Sequence, residues 1–289
     1  MKIKYKTKLK FKINYYYFVF NLLDNFSCWD VHCRTHLKEL LPEFYKLVSE
    51  NLPAYANLRK TKYGWKTIEK FFLYDSEQDI DLTIRSNIAC EDAELILTPF
   101  RKLANNRLVK IYWYDNMKFI ETYTKLLEIL WAKWSERAYK IIINFFEVEL
   151  PTEISVFVVL NERGAGGGSN LSGKGITLEL GSTNIAPGNI LEILMHEIIH
   201  FVSNSKTIRL LVENGAPEPN IIEEAIVSLL ASNSGLISSK IKLSKGDIMP
   251  LPNDVTTYKQ KIKELVAARL EKNDESYESF IKNIADALK

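Results

Sequence analysis

Asn189-Ile-Leu-Glu192-Ile-Leu-Met-His196-Glu197-Ile-Ile-His200-Phe-Val202 is the segment on which the reading of this chain turns. Ile190, Leu191, Ile193, Leu194, Met195, Ile198, Ile199, Phe201 and Val202 leave a helix here almost no polar face, so it must be buried nearly all round. Asn189 with Glu192 makes a capping-box-like start to a helix from about Ile190 to Val202. His196 and His200 stand four apart, so both imidazoles share one face and can reach one ion, while Glu197 projects beside the first. Left unpaired in such a helix, these three side chains would be costly to bury. A zinc ion satisfies them, and H-E-x-x-H is the spacing that sets a base beside a metal site. The plain alternative is a pair of core histidines bonded to backbone carbonyls, with Glu197 in an ion pair. The chain holds only four histidines, so two of them meeting at this spacing around an acid favours the metal.

Zinc needs a third protein ligand, and the downstream sequence restricts it. The continuation H-E-x-x-H-x-x-G-x-x-H would put Gly at 203 and His at 206, where the chain has Ser203 and Lys206. No histidine follows His200, so a downstream ligand must be an acid. A second helix beginning near Asn220 offers two, Glu223 and Glu224.

With His196, Glu197, His200 and the Glu224-Ala225 step, the sequence resembles the gluzincins, the thermolysin and aminopeptidase type of metallopeptidase. The resemblance covers about 75 residues, from the strand at Ile176 to Ser228 with some of the preceding β region. It implies zinc (Zn2+) held by His196, His200 and Glu224, Glu197 as general base to the zinc-activated water, and a peptide or protein substrate. It also implies that the strand Ile176–Leu180 binds extended substrate along its edge. Thermolysin-like proteins carry an acid four residues after the ligand glutamate to orient a ligand histidine; here Ser228 stands in that place as the acceptor. No later histidine is present to stabilise an oxyanion, which leaves Tyr258 or another of the 14 tyrosines for that role. Helix geometry separates the two acids in the same direction. Asn220 is a good N-cap, and Glu223 then stands where a capping-box glutamate reaches back to it. Glu224 lies about 100° further round, on a face shared with Ile221, Ser228 and Ala231.

The rest of the chain is consistent with a folded enzyme. A hydrophobic content of 46% with 26% charged residues over 289 positions describes a globular chain able to bury its own core. A net charge of +2 is too small for a whole-molecule attraction to nucleic acid, so no nucleic-acid partner is expected. Three cysteines, Cys28, Cys33 and Cys90, without repeating spacing argue for a reducing, cytoplasmic setting. Secretion is the minority alternative, because the basic start and the aromatic run Tyr15–Phe20 resemble a signal segment without its cleavage site. That run is too short to span a membrane.

The fold class expected is α+β. Residues 1–150 form a mainly helical N-terminal region with a basic strand, and residues 151–289 a zincin-like catalytic region. The latter combines a small, mainly antiparallel sheet with the H-E-x-x-H helix and the glutamate-donating helix. Residues 2 to 13 alternate lysine with apolar groups, as an edge strand guarded by lysines does. Used as an anion-binding arm, the same strand would suit a catalytically weak zincin-scaffold protein that engages an acidic partner, which is the rival reading of the whole chain. Helical periodicity covers about Leu22 to Phe72, Glu91 to Leu103 and Asn116 to Phe146. β-branched runs at Ile154–Leu160 and Ile176–Leu180 predict strands, joined by a glycine-rich loop at 164–170. That loop lacks the third glycine of a dinucleotide fingerprint and leads to a strand rather than a helix. Two amphipathic helices close the chain between Tyr258 and Leu288. A second metal set, Cys28, His32 and His36 with Cys33 beside them, fits no recognised zinc spacing.

Overall fold

A computed structural model describes residues 7–30, 37–64, 68–160, 166–168, 175–180, 187–233, 253–272 and 274–289. Strand β1 (Lys8–Ile13) leads into α1 (Tyr15–Ser27), followed by α2 (Leu37–Leu40), α3 (Pro42–Val48), α4 (Leu52–Thr61), α5 (Glu77–Asn87), α6 (Cys90–Ala104) and the 40-residue α7 (Arg107–Phe146). Strands β2 (Glu153–Leu160), β3 (Gly166–Gly168) and β4 (Gly175–Leu180) come next. The chain then runs through α8 (Pro187–Glu213), α9 (Pro219–Asn233), α10 (Asn253–Lys272) and α11 (Tyr277–Leu288).

The fold is α+β and mostly helical, around one sheet in the order β1-β2-β4-β3. The expectation of a mainly antiparallel sheet is corrected: β1 runs parallel to β2 and β2 to β4, and among the described residues only the β3–β4 pairing is antiparallel. The reason lies in burial. β2 is covered on both faces from Ile154 to Leu160, and a strand covered on both faces reads as a continuous apolar run, as parallel strands do.

On one face α1 packs with Tyr17 against Phe157, ring centroids 5.4 Å apart, and its hydroxyl meets the Thr177 hydroxyl at 2.5 Å. Alternation turns Val156, Val158, Ile176 and Leu178 to the opposite face, where α8 lies on β4 and β3; α7 contacts β1 and β2. One hydrophobic core runs from Tyr17 in α1 to Ile284 in α11, so the regions before and after residue 150 share both sheet and core.

The basic strand is terminal in the sheet, as expected for Lys8 to Ile13; Lys2, Lys4 and Lys6 lie outside the described residues. Lys8 and Lys10 are exposed, and Leu9, Phe11 and Ile13 pack on the core. Helix α8 is longer than its apolar core suggests, because the polar residues after Val202 are used inside the fold. Ser203 donates to the Ile199 carbonyl, Lys206 reaches the carbonyls of Phe146 and Glu147 at 3.0 Å each, and Thr207 meets the Tyr277 hydroxyl at 2.7 Å. The helix ends in a Schellman motif: Ala216 N–H donates to Leu211, Gly215 N–H to Val212, and Gly215 takes φ of 70°. No helix among the described residues is long and apolar enough to cross a membrane.

Candidate metal centre

The site forms where α8 packs against α9. The first turn of α9 differs from the expected one. Ile222 N–H donates to the Glu218 carbonyl, so Glu218 caps the helix, Pro219 takes the first helical position that its fixed φ suits, and Asn220 lies inside. Glu223 is therefore free of the capping task assigned to it. Asn189 likewise falls inside α8, which begins at Pro187.

One turn of α8 carries both histidines, with ring centroids 4.5 Å apart and an interplanar angle of 72°. Their Nε2 atoms lie 2.9 Å from each other. Glu224 closes the triangle, Oε1 3.2 Å from His196 Nε2 and Oε2 3.0 Å from His200 Nε2. Edges of this length are within a few tenths of the ~3.3 Å between donors on a tetrahedral zinc ion with bonds of ~2.0–2.1 Å. His196, His200 and Glu224 are the His/Cys/Asp/Glu group among the described residues that can hold an ion.

Behind the triangle, Glu223 Oε1 lies 2.9 Å from His200 Nδ1, with the Glu223 side chain only 3% exposed. A carboxylate only accepts, so Nδ1 carries a proton donated to Glu223, which leaves Nε2, facing Glu224 and His196, as the nitrogen that could ligate a metal. Ser228 donates to Glu224 Oε1 at 3.2 Å. It thus steadies the Glu224 carboxylate as a donor, whereas the sequence reading made it the acceptor for a histidine.

The charged groups of the site shift one another's protonation. Burial alone would lower the pKa of His200, but Glu223 and Glu224 raise it well above the ordinary value. Against the opposing effect of burial, His196 and His200 hold the Glu224 carboxyl far below the usual range. Burial pushes Glu197 up, with the two histidines pulling the other way. Glu197 is 7% exposed and makes no hydrogen bond or ion pair among the described residues. Glu192, one turn before His196 and half-buried, is also raised by burial, and Lys259 on α10 counters it. The Lys259 ammonium is itself lowered by burial, with Glu192 and Glu224 opposing.

Sequence reasoning missed the support for His200 by Glu223 and the presence of Lys259. A buried adjacent-acid pair was the only signal for the first, and the register of α10 on α9 carries none. Tyr258 donates to Glu218 Oε2 at 2.7 Å, so its hydroxyl is engaged at the start of α9. Of the second proposed metal set, Cys28 is a free thiol at the end of α1, while His32, Cys33 and His36 lie outside the described residues. The substrate edge expected at Ile176–Leu180 is corrected too. Thr177 to Glu179 of β4 pair on both sides, with β2 and β3, and the terminal strand on that side among the described residues is β3. No known family model matches this chain, and no curated protein or solved structure matches it.

Proposed function

We propose that this chain is a zinc-dependent hydrolase of peptide bonds, with His196, His200 and Glu224 as the metal ligands and Glu197 as the general base. The observation that carries the reading is the convergence of two Nε2 atoms and one carboxylate beside a buried glutamate that has no other partner among the described residues. When bound, zinc supplies Lewis acidity, which acidifies water and polarises a carbonyl oxygen. Glu197 takes the proton of the attacking water and delivers it to the departing amine, a task suited to a carboxylate whose affinity for protons is raised by burial. Glu223 holds the His200 ring in register, and Ser228 holds the Glu224 carboxylate.

A peptide substrate suits the surroundings. β3 ends the sheet above Glu197, and a terminal strand offers backbone groups to an extended chain. The cysteine pattern supports a cytoplasmic setting. The experiment is hydrolysis of a generic protein substrate with and without a chelator, followed by restoration with zinc. Chelator-sensitive, zinc-restored cleavage supports the proposal, and cleavage indifferent to chelation removes it.

A further inference from the structure

Strand β3 consists of three glycines, a composition that weakens a strand and so needs a cause. Backbone conformation is not that cause, since among the described glycines only Gly215 takes positive φ. Gly167 pairs with Leu178, whose side of the sheet faces α8. A Cβ on Gly167 would stand 2.5 Å from Glu197 Cγ, 2.8 Å from its Oε1 and 2.9 Å from its Cδ. Real Cβ atoms do not approach this closely, so any side chain at 167 requires Glu197 to swing aside. Gly168, one residue on, would meet nothing within 4 Å. Of these two neighbours, Gly167 is the one at which a side chain meets an obstacle.

We propose that Gly167 is a positioning residue for Glu197: the side chain it lacks leaves the space in which the Glu197 side chain lies, and its backbone roofs that side chain beside His196 and His200. Glu197 has no hydrogen bond among the described residues to fix its rotamer, so steric confinement between β3 and α8 takes that part. The activity arm of the test rests on the proposed hydrolase reading; the stability arm does not.

The test is a double-mutant cycle on the full chain, with chelator present so that metal binding does not enter. It compares Gly167→Ala, Glu197→Ala and the double variant, with Gly168→Ala as the control for strand propensity. Gly167→Ala should lower Tm by about 2–4 °C or more, and the loss should vanish or reverse in the Glu197→Ala background, while Gly168→Ala shows no such coupling. Equal effects of Gly167→Ala in both backgrounds would overturn the proposal. In the zinc-loaded protein, Gly167→Ala should lower kcat about tenfold or more with KM and zinc stoichiometry near wild type, and should add nothing to the loss caused by Glu197→Ala. A Gly167→Ala chain with wild-type kcat would also overturn it. If the wild type binds no zinc and cleaves nothing, the hydrolase reading fails while the stability cycle still decides the steric relationship.

Discussion

Glu223 accepts a hydrogen bond from His200 Nδ1 at 2.9 Å, with both side chains buried. Removing the carboxylate frees the ring to rotate and leaves a buried N–H without its acceptor. Glu223→Ala is expected to weaken zinc binding about 10–100-fold, because partners that orient a ligand histidine carry effects of that size. Glu224→Ala, which removes a proposed ligand outright, should cost more. Competition titration with a chromogenic chelator ranks the two, and an unchanged affinity in Glu223→Ala would detach it from the site.

Glu197→Gln keeps the shape but cannot take a proton from water. Turnover should fall by about 10²–10⁴-fold with one zinc still bound, as measured by steady-state kinetics and metal analysis on the same sample. Near-wild-type turnover would remove Glu197 from the chemistry.

A pH effect is expected far from the candidate metal site. Arg59, fully buried, bonds Asp24 Oδ1 at 2.9 Å and Glu69 Oε1 at 2.7 Å, while Tyr55 donates to Asp24. Two carboxylates share one guanidinium, and burial, with Asp24 close by, pushes the Glu69 carboxyl up to about 7 against the pull of Arg59. A carboxyl that is harder to ionise when folded favours the folded state at low pH. That contribution is lost as pH rises from the ordinary value of 4.5 through about 7. The loss should be on the order of 1–3 kcal/mol and absent in Glu69→Gln, so the difference in stability between the two chains should change between pH 5 and pH 8. Parallel pH profiles by urea unfolding would contradict this.

At the other end of the sheet, Lys8 and Lys10 face solvent on a strand that pairs on one side only among the described residues. Replacing both with valine should leave monomer stability within about 0.5 kcal/mol but promote self-association, since edge lysines oppose strand-to-strand pairing. Light scattering after size exclusion reads this directly; an unchanged monomer peak at high concentration would show the lysines are not guarding the edge.

Much of this arrangement was legible in the sequence where one period dominated. The β-branched runs became β2 and β4, the helical stretch read from about Asn116 to Phe146 became the later part of α7, which begins at Arg107, and two tail helices formed as expected. The spacing of His196 and His200 on an apolar helix placed both rings on one face, and Glu224 joins them there. Other features depend on contacts that no local pattern encodes. Tyr15–Phe20 is rich in residues that favour strands, yet it is helical because Asn14 accepts from Tyr17 N–H and the aromatic rings are buried. β3 was read as a loop, since three glycines carry no strand signal, and its place is set by pairing with β4 and by the room Glu197 needs. The choice between Asn220 and Glu218 as the cap turned on Pro219, and with it the role of Glu223.

The account stands most directly on the metal content of the purified chain. It predicts one equivalent of zinc in the wild type and in Glu197→Gln, and none in a His196→Ala/His200→Ala double variant that remains folded by circular dichroism. Zinc absent from a folded wild type supplied with the metal, or retained undiminished by the double variant, would contradict it.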